Sequence, residues 1–372
     1  MPCGADPPVR AGPPGPLFTN EISFIDTSRA DGGVVPRGDP RTRGSAPQGN
    51  PPMSQPRVAV IGAGAFGQNH CRVVHESARA QLAAIVDSDA ARAHEAAARY
   101  QTVALTDARD LPGKVDAAIV AAPTTVHAEI GCYLLDAGID VLVEKPIASD
   151  LASAGRLIDA TRGGRGILQV GHLERFNPAV LALERRVTLP LFFEIHRMNL
   201  FSPRSLDVDV VLDLMIHDVD LVLALTGAEP EEIRAAGISI LSGKVDIANV
   251  RLQFPNGCVA NLTASRISTE RVRKLRLFQP NQYLSLDYAR QDLAVFSVGS
   301  DRQIGFEQAP VTKGEPLKLQ FDAFLDSLAS RTSPKSSGAA ARRTLEAALA
   351  ILDKIKEHSE VVSKTLVDGW KP

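Results

Sequence analysis

The segment RVAVIGAGAFGQNH constrains the fold of this chain more than any other part of the sequence. It gives a short apolar strand, then Gly62, Gly64 and Gly67, then a helical pattern. Such a G-x-G-x-x-G turn is typical of dinucleotide binding, because the first glycine allows a tight turn, the second lets the backbone approach a pyrophosphate, and the third permits close helix packing. The helix N-terminus then faces the phosphates. We therefore expect this turn, including Ala65 and Phe66, to bind a cofactor.

The second expected strand, QLAAIVD, ends in a carboxylate at Asp87. A carboxylate at this position accepts hydrogen bonds from the adenosine ribose hydroxyls and repels a 2′-phosphate, which favours NAD over NADP. Two other interpretations stay open. Asp87 can cap the helix that starts near Asp89, and Arg92, one turn later, can accommodate a phosphate.

Further strands follow at VDAAIVAAP and IDVLVEKP, separated by the helical stretch VHAEIGCYLLDAG. Alternating strands and helices, with strands that are apolar on both faces, predict a parallel, doubly wound sheet. Ligands of such sheets bind beyond the carboxyl ends of the strands. Asp87, residues 123–127 and residues 144–146 all fall at this edge.

The strand VLVEKP ends in two opposite charges and a proline. Pro146 ends the strand because it has no N–H for the strand ladder. We expect Lys145 to point into the cofactor crevice, with Glu144 holding or countering its charge. An ordinary surface ion pair at the strand end is the alternative.

The second half of the chain carries long alternating segments, among them LFFEIHRM and ANVRLQFPNGCVANLTAS, with PNG and PNQ at the turns. These predict antiparallel strands joined by hairpins. The fold class is therefore α/β: an N-terminal Rossmann dinucleotide-binding domain, followed by an α+β domain with a large, mostly antiparallel open sheet. We expect a disordered tail at residues 1–55, the Rossmann domain at 56–175, and a substrate and oligomerisation domain at 176–372. The last two helical segments indicate structural packing.

Composition excludes several classes of function. The Pro- and Gly-rich first 55 residues cannot bury enough surface to offset their ordering entropy, so Met53 is a candidate start. A net charge of -2 without a basic stripe argues against nucleic acid. Four scattered cysteines indicate neither disulfides nor a zinc site. Without an apolar membrane span or a signal sequence, we expect a cytoplasmic protein that uses small molecules.

The segment DVVLDLMIHDVDLVLAL places Asp213 and His217 four residues apart on one helical face. An acid and an imidazole together can move a proton. A histidine on an apolar helix is more often a satisfied core residue, and two metal ligands at this spacing are a further alternative. The lack of a third ligand disfavours a metal.

Four of these motifs, GAGAFG, VD, APTTVHAEI and EKP, resemble the Gfo/Idh/MocA oxidoreductases in order and spacing, from about Arg57 to Val362. The resemblance implies an NAD(P)-binding domain in which the lysine of EKP contacts cofactor and substrate near the nicotinamide. It also implies a D-x-x-x-H element whose His217 does acid–base work beside Asp213. Many members carry Asn at position 124. The cofactor contacts implied here are Pro123, Thr124, His127, Glu144 and Lys145.

The same resemblance implies that the open sheet packs against a partner subunit, so we expect a homo-oligomer. Oxidation of a secondary alcohol needs a hydride acceptor, a base for the hydroxyl proton and a cation near the developing alkoxide. NAD would supply the first, His217 is the candidate base, and Lys145 is the polarising cation or an alternate base.

A narrower likeness concerns the substrate, since QVGHLERFNPAV and VDVVLDLMIHDVDL resemble UDP-N-acetylglucosamine 3-dehydrogenases. These oxidise the sugar 3-hydroxyl to a ketone, which an aminotransferase converts to a 3-amino sugar for lipid A-type lipids. Arg175, Asn177 and Arg204 are then candidates for binding the nucleotide sugar. Alternatively, Arg175 and Asn177 cap or brace the segment between the domains.

Three other functions stay open from the sequence. The same fold can act on another sugar, a UDP-linked uronic acid or inositol. A hydrolase that oxidises its substrate transiently with NAD would retain the cofactor without net NADH release. A noncatalytic cofactor-binding regulator is disfavoured by the presence of Lys145, Asp213 and His217 together.

Overall fold

The computed structural model describes residues 55–162, 166–201 and 208–369, with side chains described up to residue 364. These residues belong to one compact unit that begins at Ser54. Residues 1–54 of the predicted tail, with the candidate start Met53, and the candidate substrate residue Arg204 lie outside the described residues, whereas Gln55 donates to the Ala78 carbonyl at 2.7 Å. The expectations for them stay predictions.

The first layer is a sheet of six parallel strands, which are apolar and buried at their centres except for the edge strand β3. The strands are β1 (Arg57–Ile61), β2 (Gln81–Val86), β3 (Val103–Leu105), β4 (Ala117–Val120), β5 (Asp140–Glu144) and β6 (Leu168–Gly171). Their order is β3-β2-β1-β4-β5-β6, which is the order of the dinucleotide-binding fold. The predicted Rossmann sheet is confirmed.

Four helices follow the strands of this sheet. They are α1 (Ala65–Glu76), α2 (Ala90–Tyr100), α3 (His127–Asp136) and α4 (Leu151–Ala160). Two begin at aspartate caps: the Asp89 side chain accepts from the Arg92 N–H, and Asp150 accepts from the Ser153 N–H at 2.8 Å. Such caps satisfy backbone donors that the first helical turn leaves unpaired. Asp89, rather than Asp87, therefore caps α2.

A short connection leads into the second layer. It consists of a 3₁₀ turn (Leu173–Phe176) and α5 (Pro178–Glu184). The next elements are β7 (Phe192–Leu200), a π-helical turn (Val211–Met215) and α6 (Ile216–Thr226). The π turn is marked by the Ile216 N–H, which donates to the Val211 carbonyl five residues earlier. The sequence predicted a plain helix here, and π turns are frequent at functional sites.

The second sheet has eight strands. The remaining seven are β8 (Glu232–Ile238), β9 (Ile247–Gln253), β10 (Val259–Ser268), β11 (Val272–Gln279), β12 (Gln282–Asp287), β13 (Asp292–Val298) and β14 (Ile304–Gln308). The order is β14-β13-β12-β11-β7-β10-β9-β8, and only the β7–β10 pair is parallel. The predicted large, mostly antiparallel sheet is confirmed.

The last two helices, α7 (Pro316–Ser330) and α8 (Gly338–Gly369), return to the first sheet. Phe321 and Phe324 of α7 belong to the core formed with β1, β2 and β4. The first turns of α8 pack on the other face of that sheet, while Ile351 and Ile355 join the core of the second sheet. The first sheet ends at Gly171 and the second begins at Phe192, while α8 contributes to the cores of both sheets and α7 to that of the first. The boundary at residue 175 stays a prediction.

The outer face of the second sheet carries a row of aromatic rings, which we call the aromatic row. Neighbouring rings lie 4.8–5.8 Å apart between centroids. Phe278 and Phe306 are 38% and 64% exposed. The row consists of Phe192, Phe278, Tyr283, Phe296 and Phe306. Across the described helices, none is both long and apolar enough to cross a lipid bilayer.

Candidate active site

The glycine-rich turn between β1 and α1 has the geometry that close approach to a pyrophosphate requires. Gly62 has a φ of +92°, and a Cβ there would lie 2.6 Å from the Ala121 carbonyl oxygen. A Cβ on Gly67 would lie 1.7 Å from the Gly62 carbonyl oxygen, so only glycine fits. Gly64, by contrast, faces open space and begins α1 without a side-chain cap. The N–H groups at the start of α1 are therefore available to an anion.

A groove of about 700 Å³ opens beside this turn at the carboxyl ends of the strands. Its lining includes Gly62, Gly64, Ala65, Phe66, Asp87, Arg92, Pro123, Thr125 and Tyr133. Most predicted cofactor residues therefore lie together. Thr125, rather than the predicted Thr124, lines the groove. The turn and the groove together fit a dinucleotide.

Asp87 lies at the end of β2, where the sequence predicted it, but its carboxylate is already fully hydrogen-bonded. The N–H groups of Ala63 and Asp89 donate to it at 2.8 and 2.9 Å. Arg92 donates to both oxygens at 3.0 Å. Burial opposes ionisation, but the bonds from Arg92 and the backbone outweigh it and lower the pKa of Asp87. Two backbone and two arginine bonds fill its acceptor sites, so a ribose must displace Arg92.

His127 was predicted to contact the cofactor, but the structure gives it a bracing role. The residue is 1% exposed. Its ring nitrogens lie 3.0 Å from the Pro146 carbonyl oxygen and 2.8 Å from the Ala122 carbonyl oxygen. Burial lowers the pKa of His127 more than these carbonyls raise it. The neutral ring has one N–H and donates it to one of these carbonyls, while its other nitrogen also faces a backbone oxygen. The ring thus lies between the loops that follow β4 and β5.

Glu144 and Lys145 end β5 but point to different partners. Glu144 is 7% exposed and lies 2.9 Å from Nε2 of His70 on α1. Its Oε2 also accepts from the Lys145 backbone N–H at 3.2 Å. The neighbouring Gly171 must be glycine, because a Cβ there would lie 2.4 Å from the Glu144 carboxylate. Glu144 is thus held below the crevice rather than paired with the Lys145 ammonium.

Lys145 instead reaches the π-helical turn of the second layer. Its Nζ donates to the Asp213 carbonyl oxygen at 2.6 Å and lies 3.4 Å from Asp213 Oδ1. The Lys145 side chain is 18% exposed and that of Asp213 is 29% exposed. These two groups, 68 residues apart in sequence, therefore meet at the crevice. The sequence left open that Lys145 forms an ordinary surface ion pair. The contact with Asp213 is partly buried and therefore differs from such a pair.

His217 follows Asp213 by four residues and lies in the first turn of α6. It is 8% exposed, and its buried Nδ1 has no hydrogen-bond partner in the part of the chain that the structure describes. Burial lowers the pKa of His217 well below its usual value, and the charges of Lys145 and Arg197 lower it further. The imidazole is therefore neutral, which is the form that can accept a proton. Within the described ranges, no cluster of three or more His, Cys, Asp or Glu side chains suits a metal.

A buried charge network holds α6 against the second sheet. Arg197 on β7 donates to both oxygens of Asp218 at 2.8 and 2.7 Å, and to Glu174 at 2.9 Å. The guanidinium also lies 5.0 Å from the centroid of the Tyr288 ring. Burial opposes its charge, but the two carboxylates raise the pKa of Arg197 well above its usual value. This network fixes the residue next to His217.

The predicted substrate residues Arg175 and Asn177 lie next to this network: Asn177 contacts Glu174, and Arg175 lies near Asp220. Asn177 is 2% exposed; its Oδ1 accepts from the Ala179 N–H, and its Nδ2 donates to Glu174 and to the Tyr288 carbonyl. The capping alternative is therefore the one that the structure shows for Asn177. Arg175 lies 3.7 Å from Glu184 and 3.8 Å from Asp220, and its side chain is 12% exposed. Arg175 thus lies between two carboxylates of the protein, as the bracing alternative predicts.

Comparison with known proteins decides the class of this chain. Residues 56–172 match the family model described as the Gfo/Idh/MocA oxidoreductase family, NAD-binding Rossmann fold. Residues 192–279 match the Gfo/Idh/MocA C-terminal domain. The chain belongs to the Gfo/Idh/MocA oxidoreductase family. The resemblance inferred from the motifs is confirmed, and the first layer is an NAD-binding Rossmann unit of that family.

Relatives within this family act on sugars, nucleotide sugars or inositol. The chain is 36% identical to UDP-N-acetylglucosamine 3-dehydrogenase from Acidithiobacillus ferrooxidans over 305 residues, 80% of this chain and 97% of that enzyme. A solved structure of that enzyme matches with a TM-score of 0.78 at 35% identity, covering 82% of this chain and 99% of the other. An inositol 2-dehydrogenase from Acidothermus cellulolyticus is 33% identical over 48% of this chain and 56% of its own length. Levoglucosan dehydrogenase, at 19% identity and a TM-score of 0.74, shares the fold over 81% of this chain and 97% of its own.

Sequence reasoning missed several residues that shape the site. His70 holds Glu144, and Arg197 holds Asp218. One signal for Arg197 was available: it follows Phe193 and Ile195 at alternating, inward positions of β7, so a charge there predicts a buried partner. His70 had no comparable signal, because its partner lies 74 residues away.

Proposed function

We propose that this protein oxidises a secondary hydroxyl of a sugar with NAD, and that its substrate is the 3-hydroxyl of UDP-N-acetylglucosamine, which becomes a ketone for later amination. The observation that carries the chemistry is the convergence of Lys145, Asp213 and His217 where β5 ends, at the carboxyl edge of the first sheet. The substrate assignment is supported by 36% identity across 97% of a relative with that named activity.

In this proposal the Gly62–Gly67 turn and the start of α1 hold the pyrophosphate, and Asp87 holds the adenosine ribose. NAD supplies the hydride acceptor when bound. His217 accepts the hydroxyl proton at Nε2, since its Nδ1 is buried. The Lys145 ammonium stabilises the negative charge that develops on the oxygen. Asp213 positions Lys145 through the contact between them.

The test is NADH formation when the purified protein is mixed with NAD and UDP-N-acetylglucosamine. We expect absorbance of NADH to rise, and mass spectrometry to find a product that has lost two hydrogen atoms. UDP-glucuronic acid, UDP-glucose and myo-inositol form the comparison panel. If the protein oxidises any of these faster than UDP-N-acetylglucosamine, that compound replaces it as the proposed substrate. The proposed alcohol oxidation with NAD would still stand. Tightly retained NAD without net NADH release would instead support a hydrolase.

The contact between Arg92 and Asp87 gives a prediction about cofactor choice. Arg92→Ala should tighten NAD binding several-fold, because the ribose no longer displaces two hydrogen bonds, and should weaken NADP binding by removing a cation. Asp87→Ser should narrow the preference for NAD over NADP. Calorimetric titration with both nucleotides measures these changes.

Arg99→Ala is the matched control for this prediction, since Arg99 lies on the same helix and contacts Gln68 and Glu95. It should leave both affinities unchanged. An NADP preference in the unmodified protein would overturn the choice of NAD. Unchanged NAD affinity in Arg92→Ala would show that Arg92 does not compete with the ribose.

We also propose that the aromatic row packs against a second copy of the chain. Its rings are partly exposed, and exposed aromatic rows mark interaction sites. Replacing Phe278 and Phe306 together with Glu should convert the oligomer to folded monomers, measured by light scattering after gel filtration. Thr263→Ser, on the polar part of the same face, should not. A monomeric unmodified protein at micromolar concentration would contradict the proposal.

A further inference from the structure

A second buried histidine lies beside His217, and the chemistry proposed above does not use it. His172 directly follows β6, so it lies at the carboxyl edge of the first sheet, and it is 1% exposed. Its ring meets the His217 ring edge-on, with the centroids 6.3 Å apart and the planes at 85°. His172 is therefore a direct neighbour of the candidate base.

His172 also faces a carboxylate from the helix that carries His217. Asp220 comes three residues after His217 on α6, so both side chains lie on one side of the helix. Its Oδ2 lies 3.9 Å from Nδ1 of His172. Its Oδ1 accepts from the Thr344 hydroxyl on α8 at 3.1 Å, which fixes the carboxylate. His172, just after β6, and Asp220, on α6, thus form a pair whose carboxylate is fixed by α8.

His172, Asp220 and His217 each carry one polar atom that is buried without a hydrogen-bond partner among the described residues: Nδ1 of His172, Oδ2 of Asp220 and Nδ1 of His217. Nε of Arg175, whose guanidinium lies 3.8 Å from Asp220, is a fourth such atom nearby. Buried polar atoms are almost always paired, so three such atoms on adjacent titratable groups need a reason. Catalytic hydrogen bonds are often long before the substrate binds. A role in moving a proton accounts for all three.

The charges around His217 do not favour a proton there. Lys145, Arg197 and Arg273 are the nearby charged groups that act on it, and each disfavours an imidazolium. A proton accepted by His217 is therefore held weakly and needs a second acceptor.

The charges around His172 are different. Burial lowers the pKa of His172, but Asp220 and Glu144 oppose this change, while Lys145 and Arg175 add to it. Two carboxylates therefore favour a proton on this ring, whereas the largest influences on His217 are burial, cations and a neighbouring histidine, all of which disfavour a proton. When the surroundings push the pKa values of two neighbouring titratable groups apart, one group typically gives a proton and the other takes it.

We propose that His172 and Asp220 form a proton-holding pair that takes up the proton His217 accepts from the substrate hydroxyl. The O–H bond breaks and its proton binds Nε2 of His217. A proton leaves Nδ1 of His217 and reaches His172 through one bridging water, and Asp220 balances the new charge. The two electrons of the C–H bond leave with the hydride to NAD. This inference rests on the proposed function, and His172 is a positioning residue in it.

The first test does not depend on turnover. Histidine-selective isotope labelling and NMR titration, with NAD bound, measure the pKa of His172 and His217 among the eight histidines. Asp220→Asn should lower the pKa of His172, and His172→Gln should raise that of His217. His196→Gln, on the outer sheet face, should change neither. The proposal is overturned if Asp220→Asn leaves His172 unchanged, or if His172 stays neutral down to about pH 5.

The second test is kinetic. His172→Gln and His172→Phe should lower kcat about 10-fold or more, with KM and NAD affinity unchanged. In both variants kcat should rise with pH and with the concentration of buffer base, because solvent then accepts the proton. Normal kcat with an unchanged pH profile would remove His172 from the reaction. If the unmodified protein oxidises no sugar on the panel, the proposed function fails, and the NMR titration alone decides the pair.

Discussion

Replacing Lys145 or His217 with alanine should lower turnover on the order of 100-fold or more while the fold stays intact. Lys145→Ala removes the cation beside the developing alkoxide, and His217→Ala removes the base. Neither should weaken NAD binding much, because the glycine-rich turn holds the pyrophosphate through its backbone. Single-turnover hydride transfer, followed as NADH absorbance, measures the chemical step apart from binding.

Two control variants and a double variant make this prediction specific. Lys114→Ala and His196→Gln replace an exposed lysine and an outer-face histidine, and both should turn over normally. If Lys145 and His217 act on one proton, the double variant should cost much less than the product of the single effects. Near-normal hydride transfer in either single variant would exclude that residue from the mechanism.

The lowered pKa of His217 gives this prediction a pH dependence. A base with a lowered pKa stays neutral as the pH falls, so kcat/KM should hold through about pH 6.5 and decrease only below it. Because the Lys145 charge helps to lower that pKa, Lys145→Ala should move the acid limb to higher pH. An acid limb at the same pH in both proteins would show that His217 is not the titrating base.

Arg197→Met should destabilise the protein by about 3–5 kcal/mol, because it leaves two buried carboxylates without their counter-charge. Asp218 and Glu174 are 1% and 5% exposed, so water cannot replace the guanidinium. Urea unfolding measures the change in the free energy of unfolding. Since Asp218 is next to His217, turnover should also fall in the fraction that stays folded.

A neighbouring arginine on the outer face serves as the control. Arg276 donates to Glu194 at 3.0 Å, and its side chain is 45% exposed. Arg276→Met should therefore cost no more than about 1 kcal/mol. Neutralising the carboxylates as well, with Asp218→Asn and Glu174→Gln, should recover part of the loss in Arg197→Met. Equal costs for the two arginines would mean that the buried network contributes no more than a surface pair.

The sequence by itself determined the features that depend on neighbouring residues. The glycine spacing requires a tight turn with a positive φ at Gly62, and the apolar strand with Asp87 at its end predicts a parallel sheet and its ligand edge. The spacing of Asp213 and His217 predicted a helix that carries both, although the structure places Asp213 in a π-helical turn just before α6. Such features follow from backbone sterics and from residue periodicity, which act within a few residues.

Tertiary structure alone decided which polar side chains brace the fold and which are available to bind a ligand or act on it. His127 and Asn177 looked like ligand residues, but packing brings backbone carbonyls to both. Lys145 finds Asp213 across 68 residues, and α8 spans two cores. A buried polar group must pair with whatever the fold brings near it, because leaving it unpaired costs free energy. Its partner is therefore set by long-range packing, on which the local pattern carries no information.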